Sequence, residues 1–195
     1  MRNTCLGLAT MLALLSGCQQ PTATADKPGT EEAQKSAPVV GSIAPMFTTQ
    51  GALAGKPFTL DLAEQLKKGP LVLYFFPKVF TSGCTAEAHE FAERSGDFAK
   101  LGANVVGLSA DSIEELSKFS REACRDKFAV ARATPEIIKA YDVKMPAIDM
   151  TNRTSFVIAQ DGRIAFIHSD LDYQDHVRLT YEAVRKLKES GTPTT

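Results

Sequence analysis

The stretch from Pro70 to Phe76 reads PLVLYFF, and it narrows the fold of this chain more sharply than any other. A short, unbroken apolar run is buried on both faces, as a strand in the middle of a sheet is and an edge strand is not. The run stops at Pro77, and a different periodicity follows. After Cys84, the residues Ala88, Phe91, Phe98 and Leu101 recur at near-helical spacing up to Gly102, a residue suited to the left-handed turn that ends a helix. A buried strand that feeds a helix through a proline-led loop requires further layers to cover both.

The rest of the chain supplies them. ANVVGLSA, from Ala103 to Ala110, reads as a second strand. Asp111 followed by Glu114 suggests a capping box for a helix running through Ile113, Leu116 and Phe119 to about Lys127. Phe128 to Ala131 suits a short third strand, and Thr134-Pro135 forms an N-cap with proline in the first helical position. TSFVIAQDGRIAFIHS reads as a hairpin turning at Asp161-Gly162, and a closing helix from about Tyr173 to Glu189 places Val177, Tyr181, Val184 and Leu187 on one side. Strands alternating with helices, then a hairpin and a helix, imply an α/β fold: a three-layer sandwich around a central mixed sheet, in the thioredoxin-like order. Such a fold carries many chemistries, so function must come from a site.

The first residues carry a separate message. MRNTCLGLATMLALLSGC begins with a positive charge at Arg2, continues with an apolar stretch from Leu6 to Leu15 and closes with small residues and a cysteine. That is the layout of an export signal, too short for a permanent anchor. Leu15-Ser16-Gly17-Cys18 resembles the bacterial lipoprotein box, which implies lipidation of Cys18 and a periplasm-facing protein held at a membrane. Gln19 after the cysteine favours the outer membrane. From Gln19 to Pro38 there is no aromatic residue and no aliphatic larger than alanine, so the segment cannot repay the entropy of ordering. As a tether of this length it has a reach of roughly 25 Å. The expected organisation is a signal peptide over 1–17, a lipidated disordered tether over 18–38, one domain over 39–190 and a short disordered tail over 191–195. The formal net charge of -1 gives no basic field for nucleic acid.

Of the four cysteines, Cys5 then leaves with the signal and Cys18 carries lipid, so Cys84 and Cys124 remain. Two thiols in an oxidising compartment suggest a disulfide, a redox cycle, or both. Cys84 falls at the amino end of a helix, where unpaired amides and the helix dipole favour thiolate over thiol.

Pro77, Thr81 and Cys84 complete the pattern P-x-x-x-T-x-x-C, which resembles the active-site loop of peroxiredoxins. LVLYFFPKVFTSGCTAEAHEF, the entry VGSIAPMFT and the later NRTSFVIAQDGRI are similar to the bacterioferritin-comigratory, Q-type branch of that family. The resemblance covers about Val40 to Glu189. It implies a peroxidase in which Cys84 attacks hydrogen peroxide or an organic hydroperoxide and becomes a sulfenic acid. Arg153 occupies the position of the family's site arginine. Ionising a free thiol, about 3% thiolate at pH 7, gains at most ~30-fold, about 2 kcal/mol. The remaining acceleration must come from donors fixed before the reaction, for which Arg153, the Thr81 hydroxyl and backbone N–H groups are the candidates. Pro77, with no N–H and a rigid ring, would shield the pocket from water.

Many Q-type members carry a second cysteine five residues after the first, and here that residue is His89. Others place the resolving cysteine in the following helix, which points to Cys124 near the end of the helix expected from Asp111 to Lys127. The resemblance further implies no cofactor, a thioredoxin-like or other thiol reductant, and a monomer. Two alternatives belong beside it. A membrane-tethered thiol–disulfide oxidoreductase normally uses C-x-x-C, whereas Glu87 stands three residues after Cys84. A copper-binding lipoprotein could use Cys84 and His89 with His168 or His176, but its C-x-x-x-C motif is missing.

Overall fold

The computed structural model describes residues 37–191. The expected signal, the lipidation site at Cys18, most of the tether and residues 192–195 lie outside these described residues.

The apolar run forms β3 (Leu71–Phe75), buried at every position. It lies inside a seven-stranded sheet, between a parallel neighbour β4 (Asn104–Ser109) and an antiparallel neighbour β6 (Thr154–Ile158). With β1 (Thr48–Leu53), β2 (Lys56–Asp61), β5 (Ala129–Arg132) and β7 (Ile164–Ser169) the strand order is β2-β1-β5-β4-β3-β6-β7. The strands β3, β4 and β5 are mutually parallel, and the outer pairs are antiparallel. The sheet is mixed, as the alternation of elements requires.

Helices cover both faces. Val72, Tyr74 and Phe76 point into one apolar cluster with α2 (Ser82–Lys100), α3 (Ile113–Glu122) and α5 (His176–Glu189). Leu71, Leu73 and Phe75 point into the other, against α1 (Leu62–Leu66) and α4 (Pro135–Tyr141). The period-two alternation of a strand thus distributes one apolar run between two cores. The Tyr74 ring stacks on Phe91 at 4.4 Å between centroids and lies so close to Gly107 of β4 that a Cβ there would meet the ring at 2.7 Å. Glycine in that strand makes room for the ring.

Four sequence expectations change. The hairpin β1–β2 has no counterpart in the sequence reading, because Gly51 and Pro57 weaken its strand signal. Ala54 and Gly55 turn it with positive φ, and Pro57 is tolerated because β2 is an edge strand. The capping box of α3 is Ser112 with Glu115, one residue later than expected: the Ser112 hydroxyl accepts from the Glu115 amide and the Glu115 carboxylate accepts from the Ser112 amide. Finally, α3 ends at Glu122 with Ala123 as its C-cap, so Cys124 follows the helix rather than belonging to it. Arg125 and Asp126, both at positive φ, turn the chain away. The closing helix starts at His176 rather than near Tyr173, after a turn.

Candidate active site

The carboxyl end of β3 leads through Pro77 to Thr81, the N-cap of α2, in extended backbone. Cys84 is the third helical residue, in the first turn, and its side chain is buried. The first intrahelical bond runs from the Thr85 amide to the Thr81 carbonyl, so the amides of the first turn have no partner within the helix. They face the sulfur's end of the helix with the positive end of its dipole.

The loop before the helix is held from two sides. The Asp111 carboxylate accepts from the Val79 amide at 2.9 Å, from the Ser109 hydroxyl at 2.8 Å and from Lys78 Nζ at 2.7 Å. That is the work Asp111 does in place of the capping role expected for it. From the other side, the Thr151 hydroxyl donates to the Phe76 carbonyl at 2.6 Å. Pro77 is half-buried between these two anchors. The Thr81 hydroxyl donates to the Lys78 carbonyl at 3.1 Å. That bond, at an exposed residue, engages the hydroxyl expected from the sequence as a donor.

Arg153 lies immediately before β6, which runs antiparallel beside β3 and so brings residue 153 level with the strand end that leads to Cys84. Its guanidinium is buried and serves three acceptors. Nε donates to the Leu171 carbonyl at 2.9 Å, Nη2 lies 3.5 Å from Cys84 Sγ, and Nη1 pairs with Glu87 Oε2. Burial works against the Arg153 charge, but Glu87 and Cys84 outweigh it and raise its pKa further. The arrangement aims a fixed positive group at the sulfur in a place water barely enters. Such donors act most strongly on charge that develops during a reaction.

Glu87 is the residue that sequence reasoning missed. It is fully buried, and burial pushes its carboxyl up to about 8, against the pull of Arg153. A signal was present: Cys84, Glu87 and Phe91 fall on one helical face, so a carboxylate sits in the apolar stripe. Behind it lies His176, also fully buried, with Nδ1 at 2.8 Å from the Ser155 hydroxyl, Nε2 at 3.0 Å from the Asp170 carbonyl and its ring edge-on to His168 at 4.5 Å. Burial depresses His176 to about 4.

Cys124 is fully buried in the same apolar cluster as Cys84, and both are free thiols. Burial, then Asp126, pushes the Cys124 thiol far above its ordinary range. Burial, then Cys124, Glu87 and Cys84, hold the Tyr74 hydroxyl well above its ordinary pKa. His89 is half-buried, and no three His, Cys, Asp or Glu side chains among the described residues gather as a metal site would. The structure brings Cys84, Arg153, Thr81 and Pro77 to one strand end, with Cys124 fully buried in the apolar cluster that also holds Cys84.

A sequence model of the AhpC/TSA family matches residues 40–167. The chain is 31% identical over 125 residues to peroxiredoxin Bcp of Bacillus subtilis, a span that is 61% of this chain and 78% of that protein. It is 26% identical over 142 residues to peroxiredoxin Bcp of Escherichia coli K12, 70% of this chain and 88% of the relative. The crystal structure of peroxidoxin BcpB from Mycobacterium tuberculosis superposes with a TM-score of 0.66 at 27% identity, over 76% of this chain and 97% of that one.

Proposed function

The chain belongs to the AhpC/TSA family of peroxiredoxins, thiol-dependent peroxidases, and from that premise we propose that Cys84 is its peroxidatic thiol and Cys124 its resolving thiol. The observation that carries the first assignment is the Arg153 guanidinium at 3.5 Å from a buried cysteine sulfur at a helix amino end. The Cys84 thiolate attacks one oxygen of hydrogen peroxide or an organic hydroperoxide. The O–O bond breaks, the other oxygen leaves and takes up a proton as water or an alcohol, and the sulfur becomes a sulfenic acid. Arg153 and the first-turn amides stabilise the charge that moves onto the departing oxygen.

Resolution follows when the Cys124 thiolate attacks the sulfenic sulfur and water leaves, giving a Cys84–Cys124 disulfide. A thioredoxin-like or other dithiol reductant then returns two electrons. Support for Cys124 comes from its place in the same apolar cluster and from the count of thiols in the domain. A peroxide titration read by intact mass and peptide mapping tests both roles. The wild-type chain loses two hydrogens, Cys124→Ser instead gains one oxygen on Cys84, and Cys84→Ser neither changes mass nor consumes peroxide. A Cys124→Ser variant that turns over at the wild-type rate with a thioredoxin-type reductant removes Cys124 from the cycle.

We further propose that the protein works as a monomer facing the periplasm, held at a membrane by lipid on Cys18. The reading rests on the Leu15-Ser16-Gly17-Cys18 box and the polar segment behind it. Cys18→Ala is expected to move the protein from the membrane fraction to the soluble one, and an unchanged distribution contradicts the anchor.

A further inference from the structure

The buried carboxylate beside Arg153 poses a problem that the proposed reaction does not solve. A thiolate on Cys84 and a carboxylate on Glu87 would both claim one guanidinium, and two negative charges around a single buried positive one leave the site with a net negative charge. Glu87 uses only one oxygen on Arg153. Its other oxygen, Oε1, is buried without a hydrogen-bond partner among the described residues, and it faces His176 Nδ1 at 3.9 Å.

The tautomer of His176 follows from its surroundings. The Asp170 carbonyl can only accept, so His176 Nε2 carries the proton and donates to it at 3.0 Å. Nδ1 then presents a lone pair. The Ser155 hydroxyl, at 2.8 Å, reaches that lone pair from one side, and Glu87 Oε1 faces it from the other. A carboxylate oxygen opposite a lone pair gains nothing. A protonated one gains a hydrogen bond if the carboxyl group closes the gap by about 1 Å.

We propose that His176 is a positioning residue of the peroxidase site: its Nδ1 accepts a hydrogen bond from a proton that stays on Glu87 Oε1, which keeps Glu87 a neutral acid and leaves the Arg153 charge undivided for the Cys84 sulfur. In this form Oε2 still accepts from Arg153 and holds the guanidinium in place without cancelling it. The inference rests on the assignment of Cys84 as the reacting thiol. The other titratable or charged groups facing this pair are consistent with it. Cys84 and Glu90 on α2 and the Tyr74 hydroxyl on β3 bring no positive charge. Burial, the largest influence on both Glu87 and His176, favours the neutral form of each. Arg153 favours the carboxylate; on His176 the Asp170 carbonyl is the strongest influence after burial and pulls toward a second proton, while His168 and Arg153 join burial in opposing it.

The test is alkylation of Cys84 by iodoacetamide at pH 7 in the reduced full-length protein, read by peptide mass mapping. It uses no peroxide, so its outcome is independent of the peroxidase assignment that Cys84→Ser tests. His176→Gln keeps a donor for Asp170 but loses the Nδ1 acceptor, and it is expected to slow alkylation about tenfold, the effect of one pH unit. His176→Asn, whose amide oxygen falls near the Nδ1 position, should restore most of the rate. In a Glu87→Gln background, where residue 87 is always neutral, adding His176→Gln should change the rate by less than about twofold. Ser155→Ala, which removes the competing donor, should leave alkylation unchanged or faster. The proposal is overturned if His176→Gln has no effect, if it slows alkylation equally in the Glu87→Gln background, or if Ser155→Ala slows it as His176→Gln does.

Discussion

Arg153 is a single side chain whose three nitrogens face three different groups, a backbone carbonyl, a carboxyl and a sulfur. The planar fork makes that possible, and a lysine with one compact ammonium cannot replace it. Arg153→Lys is therefore expected to lower the rate of peroxide consumption by about 100-fold, ~3 kcal/mol, although the charge is retained. Stopped-flow peroxide kinetics on the reduced enzyme measure this, and a loss below about fivefold would show that charge alone suffices. At this scale the sequence was partly legible. Pro77, Thr81 and Cys84 are neighbours in the chain, and their spacing carries meaning by itself. Glu87 and His176 are not. Their meaning comes from packing between α2 and α5, which juxtaposes residues 89 apart, and each alone looks like an ordinary surface residue type.

At the scale of elements, the two thiols sit at opposite kinds of helix end. Cys84 is in the first turn of α2, and Cys124 follows the last turn of α3. Both are packed into the core, and Cys124 is held strongly in its thiol form by burial. For the disulfide proposed between them, one or both ends are expected to unwind, which would free the Cys124 sulfur and restore its nucleophilicity. Oxidation with one equivalent of peroxide is expected to raise amide hydrogen exchange in residues 78–90 and 119–128, with β3 and β4 staying protected. Protection that is unchanged while the disulfide forms would rule out the unwinding. The existence of α2, β3, β4 and the β6–β7 hairpin was readable because their periodicity is strong. The end of α3 was not, because the apolar pattern runs on through Cys124 to Phe128 while positive φ at Arg125 and Asp126 turns the chain. The shift of its start by one residue has a similar cause. Asp111 has the chemistry of a cap, but tertiary contacts with Val79 and Lys78 claim it.

For the whole molecule, the buried Glu87 and His176 make stability depend on pH in opposite senses. Glu87 binds its proton more tightly in the folded chain, up to about 8 against a usual 4.5, so its contribution is present at low pH and is lost as pH rises through 8. His176 binds its proton less tightly, about 4 against 6.5, so its contribution grows as pH rises from 4 to 6.5. Between 4.5 and 6.5 the two slopes offset each other, and above 6.5 only Glu87 acts. Urea unfolding should therefore show stability falling by on the order of 1 kcal/mol per unit from pH 6.5 to 8, and Glu87→Gln should flatten that limb. A limb that keeps its slope in the variant would place the titrating group elsewhere. The fold class was legible at this scale because the order of elements fixes the layers. The coupling of two ionisable groups on different helices was not.

One further consequence comes from the way the described chain begins. Gly41 donates to the Ile164 carbonyl, Ala44 donates to the Gly162 carbonyl and Ile43 bridges to Arg163, which fastens the start of the domain to the β6–β7 turn. That turn adjoins the start of β3, whereas Cys84 follows its end, so the two lie roughly 15 Å or more apart along the strand direction. Whatever pulls on this polypeptide from its front grips it at the back of the sheet. The end of the sheet that carries Cys84 is then the one opposite this fastening.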